Sequence, residues 1–234
     1  MKLLHFQQKP ILEQLLLEEA LLRTDTSNWC LINEGSSRAI VLGISSKPAE
    51  WVHPSAFKDE IPLSRRFSGG GTVVVDENTL FVTFIFNSEN LPFNPFPEPI
   101  LRFTEGLYKP VFDHPDFQVQ GNDYTMGSRK CGGNAQYIRK GRWLHHTTFL
   151  WDYDPANMNY LLHPKKTPTY RNHRPHTDFI CRLADYFPSK KIFIDRLKSH
   201  LSITFGAQET KTPLFHQEYR TTTRLYEQTE LFTT

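Results

Sequence analysis

Residues Arg65–Phe84 read RRFSGGGTVVVDENTLFVTF. The second half is a strand pattern. β-Branched and aromatic residues at Thr72–Val75 and from Leu80 to Phe86 flank Asp76-Glu77-Asn78, a turn composition. The first half puts three glycines behind two arginines. Each glycine loses more backbone entropy on ordering than any other residue, so the run marks a place that needs bare main chain. Successive N–H groups in such a turn form a concave anion site. Arg66 adds the possibility of a bidentate contact to phosphate or carboxylate. A flexible hairpin with surface arginines produces the same string. Two phosphate-binding motifs are excluded, because no GxxxxGK[ST] is present and a strand pattern, not a helix, follows the glycines.

A second chemistry-bearing stretch runs from Gly121 to Asp154, GNDYTMGSRKCGGNAQYIRKGRWLHHTTFLWDYD. Lys130 directly precedes two glycines, so its ammonium can reach across a floor of bare backbone to a carboxylate or phosphate. At about 4 Å and an effective dielectric near 20, such a pair interacts by roughly 4 kcal/mol before desolvation. A solvated surface lysine is the plain alternative. His145 and His146 fall in a strand pattern and point to opposite faces, so at most one meets a pocket; His146 is the candidate.

The rest of the chain sets limits. Its 234 residues suit one large domain, or one domain plus an appendage, and bury roughly 70–75% of the surface an unfolded chain exposes. With 27 Lys+Arg against 25 Asp+Glu, bulk charge demands neither a nucleic-acid nor a membrane partner. Cys30, Cys131 and Cys181 are odd in number and far apart, with no metal spacing. They point to free thiols in a reducing cytoplasm, and no metal ligand is named. The start, MKLLHFQQKP, has no signal-peptide core, and no apolar run has the length of a membrane span.

Periodicity places a helix from about Pro10 to Arg23, with Glu13, Glu18 and Glu19 as its polar positions. Trp29–Ile32 and Ala39–Ile44 read as two strands joined by a turn. Leu91–Pro99 holds four prolines and is irregular; a helix follows to Phe112. Phe117–Tyr124 and Tyr137–Trp151 bracket a glycine-containing loop. His163–His176 reads as an exposed basic loop, and Phe179–Tyr186 and Ile192–Leu201 as helices. The mixture lacks strict βαβ alternation, which predicts an α+β fold with a mixed β-sheet flanked by helices. The catalytic domain is expected over 1–205, with 206–234 a C-terminal tail or short extra element.

Together the two stretches resemble the lipoate-protein ligase A group of the biotin/lipoate ligase catalytic domains. Arg65, Arg66, Ser68, the three glycines, Val73, Asp76 and Phe81 fit its first pattern, with Asn78-Thr79 in place of Gly-Asn. Asn122, Asp123, Arg129, Lys130, Gly133, Asn134, Ala135, Gln136, His145 and His146 fit the second, with Thr147 where glycine is usual. The resemblance covers about Leu12 to Leu201. It implies a class II aminoacyl-tRNA synthetase-like architecture and an ATP-dependent ligase. Lipoate is activated as lipoyl-AMP with ATP and Mg²⁺. The lipoyl group then passes to a lysine of acceptor lipoyl domains, in E2 subunits or the glycine cleavage H protein.

The implied catalytic residue is Lys130. The implied nucleotide- and adenylate-binding set is Arg66, Gly69, Gly70, Gly71, Thr72, Val73, Val74, Asn78, Asp123, Lys130, Gly133, Asn134, Ala135 and His146. Asp123 either holds Lys130 or meets the ribose. Phe81, Phe84 and Phe86 read as ordinary core, with an acyl tunnel as the alternative. The basic segment Tyr170–His176 either guides acidic acceptor domains or is merely solvated. Long members of the group carry a C-terminal accessory domain. This chain reads as a short form, which either acts alone, needs a separate small partner protein, or transfers lipoyl or octanoyl groups without ATP. A transferase of that kind calls for a cysteine, and Cys131 reads as small pocket filler.

Overall fold

A computed structural model describes residues 1–89, 91–162, 168–172, 174–214 and 218–227. In chain order its first elements are β1 (Lys2–Gln7), α1 (Ile11–Thr24), β2 (Trp29–Glu34), β3 (Ala39–Leu42), α2 (Pro48–Trp51), α3 (Ser55–Lys58), β4 (Leu63–Arg65), β5 (Val73–Val75) and β6 (Thr79–Asn87). They are followed by α4 (Pro97–Phe112), β7 (Phe117–Gln120), β8 (Asp123–Met126), β9 (Arg129–Arg139), β10 (Arg142–Leu150), α5 (His176–Phe179), α6 (Lys190–Phe205), β11 (Gln208–Glu209) and β12 (Arg224–Leu225). An eight-stranded sheet has the order β11-β1-β2-β6-β10-β9-β8-β7, and a four-stranded sheet the order β12-β4-β3-β5. Both are mixed. β1 runs parallel to β2 and β11, and β3 to β4, while the other neighbours are antiparallel.

Strand alternation sorts the large sheet into two faces. One buries Cys30, Phe84, Phe86, Trp143 and Phe149 with Tyr108 of α4 and Phe193 and Leu197 of α6. The other buries Leu4, Leu31, Ile85 and Leu144 under Leu17, Leu21 and Leu22 of α1. Phe84 and Phe86 are thus core, and Phe81 packs with Ile11 and Leu15.

Two sequence expectations are corrected and one is extended. First, the strands read as joined by turns are present, and their turns carry the chain from one sheet to the other. β2 and β6 belong to the large sheet, β3 and β5 to the small one. Turn composition reports a chain reversal, not which strands pair. Second, the glycines at 132–133 lie within strand β9, not in a loop. A Cβ on Gly132 would stand 2.7 Å from the Phe149 ring on β10, so glycine is there for space. Third, Phe179–Tyr186 is not a helix: α5 ends at Phe179, and the Cys181 amide donates to Lys130 O at 2.8 Å. Of the basic loop and the tail, residues 163–167, 173, 215–217 and 228–234 lie outside the described residues.

The described tail enters both sheets, through β11 against β1 and β12 against β4. Just before β12, residues Thr221–Thr223 wrap the buried carboxylate of Glu19. Its oxygens accept from the Thr221 hydroxyl (2.8 Å), the Thr222 hydroxyl (3.0 Å) and the Thr222 and Thr223 amides (3.0 and 2.9 Å). Arg23 adds a salt bridge at 2.7 Å. Burial alone would raise the Glu19 carboxyl; the donors of the threonine segment and Arg23 outweigh it and lower it from 4.5 to about 2. A lowered carboxyl contributes stability that is complete above the unfolded value and is lost as pH falls through the folded one. Glu19→Gln is therefore expected to lower stability by up to about 3 kcal/mol at neutral pH. The gap from the parent should close between pH 4.5 and about 2. Thermal unfolding of both proteins across that range checks this.

Candidate functional site

The loop between β4 and β5 is built around Arg66. Its side chain is buried, and burial lowers the guanidinium to about 10. Among the described residues no carboxylate pairs with it. Instead Nη2 donates to Gly69 O and Gly71 O, both at 2.7 Å, and Nε donates to Ser68 Oγ at 3.1 Å. The peptide plane sets each carbonyl opposite the next amide. With the Gly69 and Gly71 carbonyls turned in to Arg66, the Gly70 and Thr72 amides face the other way. Neither donates to a backbone carbonyl among the described residues. Gly70 has φ +96°, and a Cβ there would lie 2.9 Å from Arg66 Nη2. So the loop turns two amides outward while Arg66 bonds to the loop's own carbonyls, a geometry from which an anion nest can be built.

The second motif lies against the first. The same Cβ on Gly70 would meet Ala135 Cβ at 3.6 Å and Asn134 O at 3.9 Å, so the loop rests on β9. Further down β9, the register with β8 jumps: Thr125 faces Lys130 and Tyr124 faces Gly132, leaving Cys131 as the extra residue of a bulge. Lys130 Nζ lies 2.7 Å from Asp123 Oδ1, with 29% of the lysine side chain and 10% of the aspartate exposed. A Cβ on Gly133 would sit 3.4 Å from that Nζ, so the ammonium lies over the glycine floor. Asp123 thus holds Lys130. Its other oxygen accepts from Tyr170 Oη at 2.8 Å, and burial, then the Asp123 charge, raises the Tyr170 phenol. Asn134 Nδ2 donates to Asn122 O at 2.5 Å, tying the strand to the turn before β8.

Beneath the loop, His146 projects from β10 toward α1. Its Nε2 is 2.9 Å from Ser68 Oγ and its Nδ1 2.6 Å from Glu18 Oε2. His145 points the other way, to Tyr124 Oη at 2.9 Å, and burial lowers its imidazole to about 3. The structure therefore joins the Arg66–Gly71 loop to Asn134 and Ala135 of β9 and, through Ser68, to His146, and sets Lys130 with Asp123 over Gly133 on the same strand. Val73 and Val74 are half-buried, and their side chains pack into separate clusters on either face of β5. Asn78 lies at the β5–β6 turn, where its amide donates to Asp76 Oδ1 at 2.9 Å; no contact ties it to the loop or to Lys130 among the described residues.

Two partners escaped the sequence reading. Tyr170 carried no signal beyond its basic neighbours. Glu18 did: with Ile11, Leu15 and Leu22 it repeats at i, i+4, i+7 and i+11, so it sits in the apolar stripe of α1, not on its polar side. Among the described residues no group of three potential metal ligands occurs, and no helix is long and apolar enough to cross a membrane.

The model of the lipoyl protein ligase A/B catalytic domain matches residues 10–206, and the chain belongs to that family. Its relatives include inactive lipoate–protein ligase 2 of Plasmodium falciparum, 28% identical over 82% of this chain and 66% of that protein. Lipoate-protein ligase LplJ of Bacillus subtilis is 30% identical over 49% of this chain and 34% of its own length. The chain thus spans less than two thirds of these relatives. Among solved structures, a lipoate-protein ligase A bound with ATP superposes with a TM-score of 0.74 at 19% identity, covering 92% of this chain and 89% of that one. A bipartite lipoate protein ligase of Thermoplasma acidophilum, studied with its E2 lipoyl domain, gives 0.73 at 18% identity over 92% and 87%. At such identities the likeness is one of fold.

The geometry of the loop sets a direct test. Gly70→Ala forces a left-handed φ on alanine and pushes Arg66 from its place, so it should cost about 1–3 kcal/mol. Gly71→Ala meets nothing within 4 Å and should be near neutral. Chemical denaturation of the two variants measures the contrast.

Proposed function

We propose that the chain is an ATP-dependent lipoate-protein ligase. In the first step a lipoate carboxylate oxygen attacks the α-phosphorus of ATP, giving lipoyl-AMP and pyrophosphate. In the second an acceptor lysine amine attacks the adenylate carbonyl, AMP leaves, and the amine gives up a proton. The observation that carries this reading is the glycine loop resting on Asn134 and Ala135 of β9, the strand that also carries Lys130. Both steps gather negative charge on oxygen, and fixed donors aimed at that charge are the strongest aid a site can supply.

In this reading the Gly70 and Thr72 amides bind phosphate oxygens. Lys130 leaves Asp123 to bridge the lipoate carboxyl and the α-phosphate. Gly133, Asn134 and Ala135 form the floor beneath the adenylate, Val73 and Val74 form part of the apolar wall after the loop, and Asn78 takes no direct part. Mg²⁺ arrives with the ATP phosphates. The acceptors are lipoyl domains of E2 subunits or the glycine cleavage H protein, engaged directly or with a separate accessory protein. The three buried free thiols suit a reducing cytoplasm.

An ATP-independent transferase would need a nucleophile. Cys30 and Cys131 are fully buried and Cys181 nearly so, and burial pushes the Cys131 thiol far from its reactive form. A second reading, favoured by the relative named an inactive ligase, is a chain that binds lipoate or its adenylate without passing it on.

Intact mass spectrometry of an apo lipoyl domain separates these readings. A lipoyl adduct should form with lipoate, Mg²⁺ and ATP, and none with octanoyl carrier protein alone. Lys130→Ala should slow formation about 10²–10³-fold with an unchanged melting temperature. An unimpaired Lys130→Ala enzyme would remove Lys130 from the mechanism.

A further inference from the structure

Glu18 is fully buried on α1, outside both motifs, with three partners. Gln14 Nε2 and Thr83 Oγ1 donate to Oε1 at 2.8 and 2.6 Å, and His146 Nδ1 lies 2.6 Å from Oε2. From there the chain of contacts runs through His146 Nε2 to Ser68 Oγ at 2.9 Å, and from Ser68 Oγ to Arg66 Nε at 3.1 Å. The proton directions follow from donor chemistry. The Arg66 Nε–H can only donate, so Ser68 accepts it and spends its own hydroxyl proton on His146 Nε2. The imidazole then carries its proton on Nδ1, where Glu18 Oε2 lies 2.6 Å away as a charge contact. The hydrogen bonds from Arg66 to Ser68 and from Ser68 to His146 run in the same sense, the arrangement in which hydrogen bonds polarise one another.

This chain joins two buried ionisable groups that, among the described residues, otherwise lack direct opposite partners. Among the described residues Arg66 bonds only to carbonyls and a hydroxyl, and Glu18 meets an amide, a hydroxyl and an imidazole. Each buried charge needs compensation. We infer that Glu18 is a positioning residue for the glycine loop. By fixing the His146 tautomer it orients Ser68, which holds Arg66 in the rotamer that turns the Gly69 and Gly71 carbonyls inward and the Gly70 and Thr72 amides outward. What those amides bind rests on the proposed ligase function; the control of the loop by Glu18 does not.

Hydrogen exchange on the unliganded protein tests the control without any appeal to catalysis. In Glu18→Gln, which keeps the shape and removes the charge, exchange at the hydrogen-bonded residues that bound the loop, the Arg66 amide on Leu42 O and Val73–Val75 of β5, should rise about tenfold or more, while β2 and β6 stay protected. Ser68→Ala cuts the chain but leaves the Glu18–His146 pair intact, so it should loosen the same segment. The double variant should add little to either single one. In an active preparation the KM for ATP should rise in both variants while the KM for lipoate holds. Unchanged exchange at those residues in folded Glu18→Gln or Ser68→Ala would overturn the inference. So would an even rise over β2 and β6, which marks a general loss of stability. If the parent forms no adduct, the ligase reading fails, and the exchange data still decide the role of Glu18.

Discussion

The site depends on a guanidinium that bonds to its own loop. Arg66 is buried, and its fork spans the Gly69 and Gly71 carbonyls. A buried guanidinium without those acceptors would carry a desolvation penalty of several kcal/mol. The loop therefore cannot relax freely into another shape while Arg66 stays inside. That constraint converts a run of glycines, which by composition is floppy, into a preset pair of outward amides. The glycines supply the conformations, above all the left-handed φ at Gly70, and the arginine selects one of them.

The two-sheet arrangement explains how the parts meet. β4 and β5, which flank the loop, belong to the small sheet, while β9 and β10, which carry Lys130 and His146, belong to the large one. The loop crosses the gap and rests on Asn134 and Ala135. Helix α1 closes the arrangement with adjacent acids that work in opposite directions. Glu18 reaches inward to His146, and Glu19 holds the threonines that lead into β12 beside β4. The tail thus braces the sheet from which the loop springs.

Much of this was legible in the sequence because it rests on local chemistry. The α1 helix, the β5–β6 turn and the opposed directions of His145 and His146 all follow from spacing, and the structure agrees on each, although Glu18 and Glu19, read as polar positions of α1, are buried. The two motifs also indicated the family correctly. What failed was non-local. Sequence cannot say that β2 and β3 part to different sheets, because their turn looks the same either way. The glycines at 132–133 read as a loop, because the Phe149 ring that demands their small size is distant in sequence. Nothing in RRFSGGG reveals that the loop's carbonyls turn back on Arg66. Glu18 was the avoidable miss: its place in the apolar stripe of α1 was visible, and a carboxylate there needs a buried partner.

A site with preset amides and a lysine held beside a glycine floor should perform the first half-reaction without an acceptor. Lipoate-dependent exchange of labelled pyrophosphate into ATP, with this chain as the sole protein, tests that most directly. The account predicts exchange that requires lipoate and Mg²⁺ and falls about 10²–10³-fold in Lys130→Ala. Absence of exchange in the folded parent protein, at saturating ATP and lipoate, would contradict adenylation by this chain.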